Sequence, residues 1–283
     1  MNKPLTHNYH CHTARCGHAI GKDEEYVLSA IKGGYQFLGF SDHVFLKGIE
    51  QPGMRGSYRL LGDYISSIHS LAAKYEKDIS LGLGFEAEWL GDGIADYYAS
   101  LRSKGFVQYL ICGQHCFLDS RNKLRWYIAL PDKKEATLRY TDAILRAMDS
   151  GLFLYFAHPD YFMTWHYEWD ETAEECAHRI ISKAKEKDIV LEINMGPSRR
   201  SETVFHNLKE EYVYPFGPFW DLVAEAGVRT IFGVDAHAPS DLLESPFDDF
   251  RLFAKKHGLA PLESLPLLGL LETKGKEEEA LRR

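Results

Sequence analysis

Tyr9-His10-Cys11-His12-Thr13 places two imidazoles two residues apart near the start of the chain. In a strand, positions i and i+2 face the same side, so His10 and His12 could reach one ion together. A bare His-x-His is a weak signal. It gains force here because groups of the same chemistry recur at the ends of apolar runs. His18 lies just after the first run. His43 follows the second in Ser41-Asp42-His43, and Glu86 and Glu88 end the third in Gly84-Phe85-Glu86-Ala87-Glu88. His115 follows the fourth in Gly113-Gln114-His115, and His158 follows the fifth in His158-Pro159-Asp160. Asp235 and His237 close the last in Gly233-Val234-Asp235-Ala236-His237. Imidazole mixed with carboxylate suits zinc, iron or manganese better than calcium or magnesium. The set exceeds the needs of one ion, so about two to three divalent transition ions are expected, with a carboxylate bridging a pair. His7, His69, His166, His178, His206 and His257 fall outside the pattern and are read as non-ligands.

The elements that must position these groups alternate. Strands are expected near Asn8–Thr13, Phe37–Ser41, Ile79–Trp89, Val107–Cys112, Leu152–Phe156, Ile189–Asn194 and Arg229–Val234. Helices are expected near Asp23–Gly33, Leu61–Tyr75, Ile94–Lys104, Lys134–Asp149, Glu171–Lys187, Pro218–Ala226 and Ser240–His257. Asp23 is placed to help cap the first helix, and Gly151 to stop the fourth. Phe117–Pro131 reads as a loop. Strands alternating with helices imply a parallel sheet with both faces covered. Seven strands without a glycine-rich dinucleotide fingerprint favour an α/β fold of the TIM-like kind, a distorted seven-stranded (β/α)7 barrel, over an open doubly wound sheet. In such a barrel every candidate ligand reaches the C-terminal rim of the strands, where barrel enzymes build their sites. One barrel domain over residues 1–270 and a charged tail over 271–283 are expected.

Composition narrows the function classes. The chain has 283 residues, 45% hydrophobic and 26% charged, which predicts a sizeable core. A net charge of -8 argues against a broad basic surface for nucleic acid. No apolar run approaches the ~18 residues of a membrane span, and the first residues lack the apolar core of a signal peptide. The five cysteines, Cys11, Cys16, Cys112, Cys116 and Cys176, are odd in number and read as free thiols in a reducing cytosol. Cys11, Cys16, Cys112 and Cys116 lie near histidines, yet no Cys-x-x-Cys pair supports a zinc–thiolate site, and they read as buried small hydrophobes. A cytoplasmic enzyme acting on a small molecule is expected, with no nucleic-acid or membrane partner.

The motifs His10-Cys11-His12, His18, Ser41-Asp42-His43, Gly84-Phe85-Glu86, Gly113-Gln114-His115, His158-Pro159-Asp160 and Asp235-Ala236-His237 together resemble the PHP (polymerase and histidinol phosphatase) superfamily. The likeness spans almost the whole chain. Tyr58-Arg59, Asp63-Tyr64-Ile65, Tyr109 to His115, and Glu192-Ile193-Asn194 with Arg199 look most like its histidinol-phosphatase branch. The resemblance implies three metals. One is held by His10, His12, Glu86 and Asp235, a second by the bridging Glu86 with His115 and His158, and a third by His18, His43 and His237. It makes Glu86 the bridge, leaving Glu88 behind the ligands or at the surface. It also implies a phosphate-binding arginine at Arg199, with Arg200 as its substitute. Asp42 and Asp160 adjoin ligand histidines and either orient an imidazole or sit in polar loops. The chain departs from the branch in Tyr161 to His166, which holds no arginine, and in Asn194-Met195-Gly196-Pro197-Ser198. Phe117, Trp126, Tyr127, Tyr161, Phe162 and Trp165 could line a pocket or simply pack.

Three divalent ions would bring roughly six positive charges, and two carboxylates would leave about four. That suits a phosphate dianion and an attacking metal-bound hydroxide, with no protein nucleophile. The expected activity is hydrolysis of L-histidinol phosphate, a step of histidine biosynthesis. Another small phosphate ester or nucleotide is the alternative. A metal-dependent amidohydrolase ranks below, because no strand end supplies a bridging lysine. A metal-stabilised regulatory domain would predict broken ligands, and the set has no gap.

Overall fold

The structure is a computed structural model describing residues 2–199, 203–206 and 209–267, with the backbone alone at 198–199, 203–206 and 209–212. In chain order, β1 (His7–Asn8) leads to α1 (Asp23–Gly33), and β2 (Phe37–Phe40) leads to α2 (Leu61–Lys74). Then come β3 (Ser80–Ala87), α3 (Ala95–Ser103), β4 (Tyr109–Cys112), a hairpin of β5 (Cys116–Leu118) and β6 (Leu124–Trp126), and α4 (Lys133–Ser150). β7 (Tyr155–Phe156), α5 (Met163–His166) and α6 (Glu171–Glu186) precede β8 (Leu191–Asn194) and a second hairpin of β9 (Thr203–His206) and β10 (Lys209–Tyr212). α7 (Gly217–Ala226), β11 (Thr230–Gly233), α8 (Asp241–Glu244) and α9 (Phe247–Lys256) complete the described elements.

Seven parallel strands order as β1-β2-β3-β4-β7-β8-β11. The two ends meet just beyond the ladders, where His12 N donates to Ala236 O at 2.8 Å and Ala236 N donates to His10 O at 3.2 Å. Asn8 reinforces the closure, accepting from Val234 N and donating to His10 O. The result is the nearly closed α/β barrel that the alternation predicted.

All of β3 after Ser80 is buried, as a strand covered on both faces requires. Two packing layers follow from strand alternation. Outside the sheet, side chains such as Leu38, Leu83, Phe85 and Leu110 meet the helices. Inside, Tyr9, Tyr109 and Tyr155 meet edge to face, with ring centroids 6.2 and 6.4 Å from Tyr9. Tyr109 crosses the barrel to donate to Tyr9 O and Phe40 O. It fits only because β3 is bare at Gly84, where a Cβ would lie 2.6 Å from the Tyr109 ring.

Local boundaries differ from expectation where a specific contact or proline intervenes. Asp23 does not cap α1. Glu25 accepts from Lys22 N, while Asp23 pairs with Arg15 at 2.8 Å and accepts from Ser67. The helix expected over Ser240–His257 is two, because Pro246 has no N–H and holds Ser245 extended. The expected loop after Phe117 contains the β5–β6 hairpin, closed by Asn122 at φ 55 and by Asp119 accepting from the Arg121 and Lys123 backbone. Gly151 stops α4 in the left-handed conformation, as expected. Residues 271–283, the expected tail, lie outside the described residues.

Candidate metal centre

The inner face of each strand continues past the aromatic layer into polar groups at the C-terminal rim. His10 is turned by a carboxylate behind it. Glu192 Oε1 and Oε2 lie 3.1 and 3.0 Å from His10 Nδ1, and both residues are fully buried. An Nδ1–H donated to Glu192 turns His10 Nε2 inward, the atom whose lone pair an ion would take once its proton is displaced. There it lies 3.2 Å from His12 Nε2 and 3.5 Å from Asp235 Oδ1. His12 Nε2 lies 3.2 Å from the same oxygen. Asn194 donates to Glu192 at 2.7 Å and holds it in turn.

Glu86 stands at the middle. Its Oε1 lies 3.0 Å from His158 Nε2, 3.5 Å from His10 Nε2 and 3.6 Å from His115 Nε2. Its Oε2 lies 3.1 Å from His43 Nδ1 and 3.5 Å from His12 Nε2. Five imidazoles therefore converge on one buried carboxylate. The neighbouring strand must be bare to admit it: a Cβ on Gly113 would sit 1.7 Å from Glu86 Oε1.

On the open side, His237 Nδ1 donates to Asp235 O at 2.9 Å, which points His237 Nε2 at His18 Nε2, 2.9 Å away. The His12 and His237 rings stack with centroids 4.1 Å apart. His158 and Asp235 adopt φ values of 31 and 52. Such left-handed backbone costs a non-glycine residue about 1–3 kcal/mol and is typical of positions fixed for function.

Nearly every residue that the sequence singled out for the rim is brought together. His10, His12 and Glu86 form one group with donor atoms within 4.8 Å of one another, Glu86, His115 and His158 a second, and His12, His43 and His237 a third. Imidazole nitrogens facing each other at 2.9–3.2 Å, with buried carboxylates between them, suit divalent metal ions by donor chemistry. Cys16 also falls near His12 and Asp42. Burial pushes its thiol up to about 12, so it stays protonated, and it accepts from Ala19 N. All five cysteines are free and buried, as expected.

Asp42 and Glu88 stand behind ligand histidines, and Asp160 does not. Asp42 faces His12 Nδ1 at 3.6 Å rather than serving only the adjacent loop, and it accepts from Thr13. Glu88 faces His115 Nδ1 at 3.4 Å and takes Arg55 Nη2 at 2.8 Å. For Asp160 the sequence allows an imidazole partner or a polar loop, and its contacts give it another task. Its Oδ2 accepts from Phe216 N at 2.7 Å and Trp220 Nε1 at 2.9 Å, so it anchors the start of α7 instead of orienting an imidazole. Burial pushes its carboxyl up to about 6.

Sequence reasoning gave Glu192 no role and missed Tyr214. Glu192's signal was a polar residue alternating with apolar ones inside a strand expected to be buried. Glu192→Ala is expected to leave the fold intact and to weaken zinc binding ~10- to 100-fold, as loss of a partner behind a ligand does. A zinc competition titration checks it, and parent-like affinity would remove Glu192 from the site.

Charge sets a pH dependence. Burial alone would lower the His12 pKa, but the adjacent Asp235 and Asp42 carboxylates, with Glu86, raise it to about 9. His10 is raised well above its ordinary value, burial being outweighed by Glu192, Asp235 and Glu86. Burial and the neighbouring His12 hold His43, His237 and His18 low. In the metal-free chain, then, His10 and His12 carry protons at neutral pH that a bound ion must displace. The apparent zinc affinity is therefore expected to rise with pH from neutrality through the His12 value of about 9. Titrations with buffered zinc across that range check the sign. A flat or falling affinity would argue against these two histidines as ligands.

Above the ligands lies a cavity of about 430 Å³ walled by Gly53, Met54, Trp126, Tyr161 and Tyr214. Of the aromatics singled out in the sequence, Trp126 and Tyr161 line it. Tyr127, Phe162 and Trp165 are buried in the packing beneath, and Phe117 is partly buried against the same core. Tyr161 and Tyr214 meet edge to face at 5.4 Å. No lysine or arginine lines the cavity among the described residues. Arg199 ends a 3-10 turn, Gly196–Arg199, of which only the backbone is described there, and Arg200 lies outside the described residues. Among the described residues no helix is long and apolar enough to cross a membrane.

Comparison with known proteins agrees with this geometry. Residues 8–196 match the family described as PHP domain. A Deinococcus radiodurans protein named a probable histidinol-phosphatase is 25% identical over 240 residues, covering 82% of this chain and 86% of its own. The crystal structure of histidinol phosphate phosphatase from Lactococcus lactis, complexed with zinc, L-histidinol and phosphate, superposes with a TM-score of 0.67 at 21% identity, over 92% of this chain and 95% of that one. A Listeria monocytogenes structure superposes equally well, with a TM-score of 0.67 at 18% identity over 84% and 97% of the two chains.

Proposed function

The chain belongs to the PHP domain family, and from that premise we propose that it is a metal-dependent phosphomonoesterase that hydrolyses L-histidinol phosphate to L-histidinol and phosphate. The observation that carries the reading is Glu86 ringed by five imidazoles at the floor of an open cavity. His10, His12, Glu86 and Asp235 would hold one ion, Glu86, His115 and His158 a second, and His18, His43 and His237 a third, zinc, iron and manganese being the candidates. Bound ions supply Lewis acidity to a phosphoryl group and lower the pKa of water. The protein's part is to hold the donors fixed from behind through Glu192, Asp42 and Glu88, and to wall the site from bulk water with Met54, Trp126, Tyr161 and Tyr214. Those flat walls suit a leaving group that carries an imidazole ring. Arg199 would grip two phosphoryl oxygens through its planar fork, with Arg200 as the alternative anchor. The five free thiols support a cytoplasmic setting.

Another small phosphate ester or nucleotide is the second reading, because the donor set that would hold the ions acts on any phosphoryl group and does not by itself select the leaving group. Turnover of L-histidinol phosphate against a panel of other phosphate monoesters, with metal content measured on the same protein, separates the two. Hydrolysis of none of them by metal-loaded protein would end both. Arg199→Ala is expected to keep metal content and to lose about 2–4 kcal/mol of transition-state stabilisation, roughly 30- to 1,000-fold in kcat/KM. Arg199→Lys should not restore the loss, because a point charge cannot reproduce the fork. A parent rate in Arg199→Ala would pass the anchor to Arg200.

A further inference from the structure

Glu86, near the end of β3, and Glu88, one residue past it, bring two carboxylates to the same rim and both approach His115. Both are buried among histidines. His43, Glu88 and His115 bring donor atoms within 4.8 Å of one another, just as Glu86, His115 and His158 do. By donor chemistry alone either could bind an ion. What differs is the company each keeps. Glu86 has imidazole nitrogens around both oxygens. Glu88 Oε1 instead accepts from Arg55 Nη2 at 2.8 Å and from the Cys116 thiol at 3.6 Å, and stands 3.4 Å from His115 Nδ1. Glu88 Oε2 has no hydrogen-bond partner among the described residues. Arg55 is 2% exposed and fully committed, with Nη1 donating to Val44 O at 3.0 Å and Nε to Gln51 at 2.9 Å.

We propose that Arg55 is a positioning residue of the metal centre: its buried charge reserves Glu88 as the acceptor that orients His115 and keeps that carboxylate from binding an ion. The inference rests on the metal-centre reading above. Without the guanidinium, Glu88 is a buried anion left with His115 and the neutral Cys116 thiol in contact and His43 within 4.8 Å, and a divalent cation held with the two histidines becomes its natural counter-ion. Arg55 then decides which of two equivalent carboxylates is the bridge.

The test measures zinc bound to the full chain, so its failure is separate from failure of the phosphatase reading. Glu86→Gln is expected to bind zinc weakly. Adding Arg55→Gln should tighten zinc binding ~10-fold relative to Glu86→Gln alone, as the freed Glu88 takes over. Adding Arg55→Lys, which keeps the charge, should give no recovery. A double variant that binds no better than Glu86→Gln overturns the proposal, as does equal recovery with lysine. Circular dichroism confirms that the compared chains are folded. Should Arg55→Gln not fold, Glu88→Gln alone decides. The proposal expects the same number of zinc ions per chain, bound ~10- to 100-fold more weakly. A lost ion, or unchanged affinity, overturns it.

Discussion

Glu86→Gln is expected to lower kcat/KM for phosphate ester hydrolysis at least about a thousandfold, about 4 kcal/mol of barrier, and to strip zinc from the same protein. The substitution keeps volume, so it opens no cavity. It removes the one charge that faces His10, His12, His43, His115 and His158 together. Burial by itself pushes the Glu86 carboxyl up, yet the neighbouring His115, His10 and His43 hold it well below the usual range. It is therefore ionised across the working pH and available to share between ions. A glutamine amide offers one acceptor oxygen and turns two N–H donors toward imidazole nitrogens that need a cation. Relief by rearrangement is closed off by the neighbouring strand at Gly113. Chelator-treated parent should fall toward the rate of the variant and recover when zinc is returned, whereas Glu86→Gln should not recover. Parent-like zinc content and rate in Glu86→Gln would remove Glu86 from the centre of the site.

Arg55→Met should destabilise the metal-free chain by about 3–5 kcal/mol, the cost of stranding one partner of a buried ion pair. For a chain of this size that is a fall in Tm of roughly 6–20 °C. Both side chains are buried, at 0% and 1% exposure, so solvent cannot screen the carboxylate left behind. Glu88 sits below its ordinary carboxylate value: burial would raise it, but Arg55 and His115 lower it further. The pair's contribution is thus present at neutral pH and is lost as pH falls through that depressed value. Replacing both partners with apolar residues, Arg55→Met with Glu88→Leu, should recover most of the loss. Thermal melts in chelator check the set. A single variant that melts within a degree or two of the parent would mean that water reaches Glu88.

The alternation of strands and helices, the stop at Gly151 and the buried face of α6 all follow from local spacing, because backbone preference and burial period are written within a few neighbouring residues. The candidate ligands were legible for the same reason: a polar group that ends an apolar strand must emerge at the barrel rim, whatever the rest of the chain does. Which groups stand behind them was not legible. His10 meets Glu192, 182 positions away, and Arg55 meets Glu88, 33 positions away. Arg55 lies between β2 and α2, in no expected element, and the fold buries it against Glu88. Asp160 adjoins His158 in sequence, yet the turn at that histidine sends its carboxylate to Trp220. Strand alternation put Glu86 and Glu88 on one face and could say no more. Only the packing of neighbouring strands and their loops around β3 brings five imidazoles to the first and a guanidinium to the second. Sequence spacing fixes which way a side chain points from its own strand. The charge it meets there depends on distant strands, and their position is set by packing across the whole barrel.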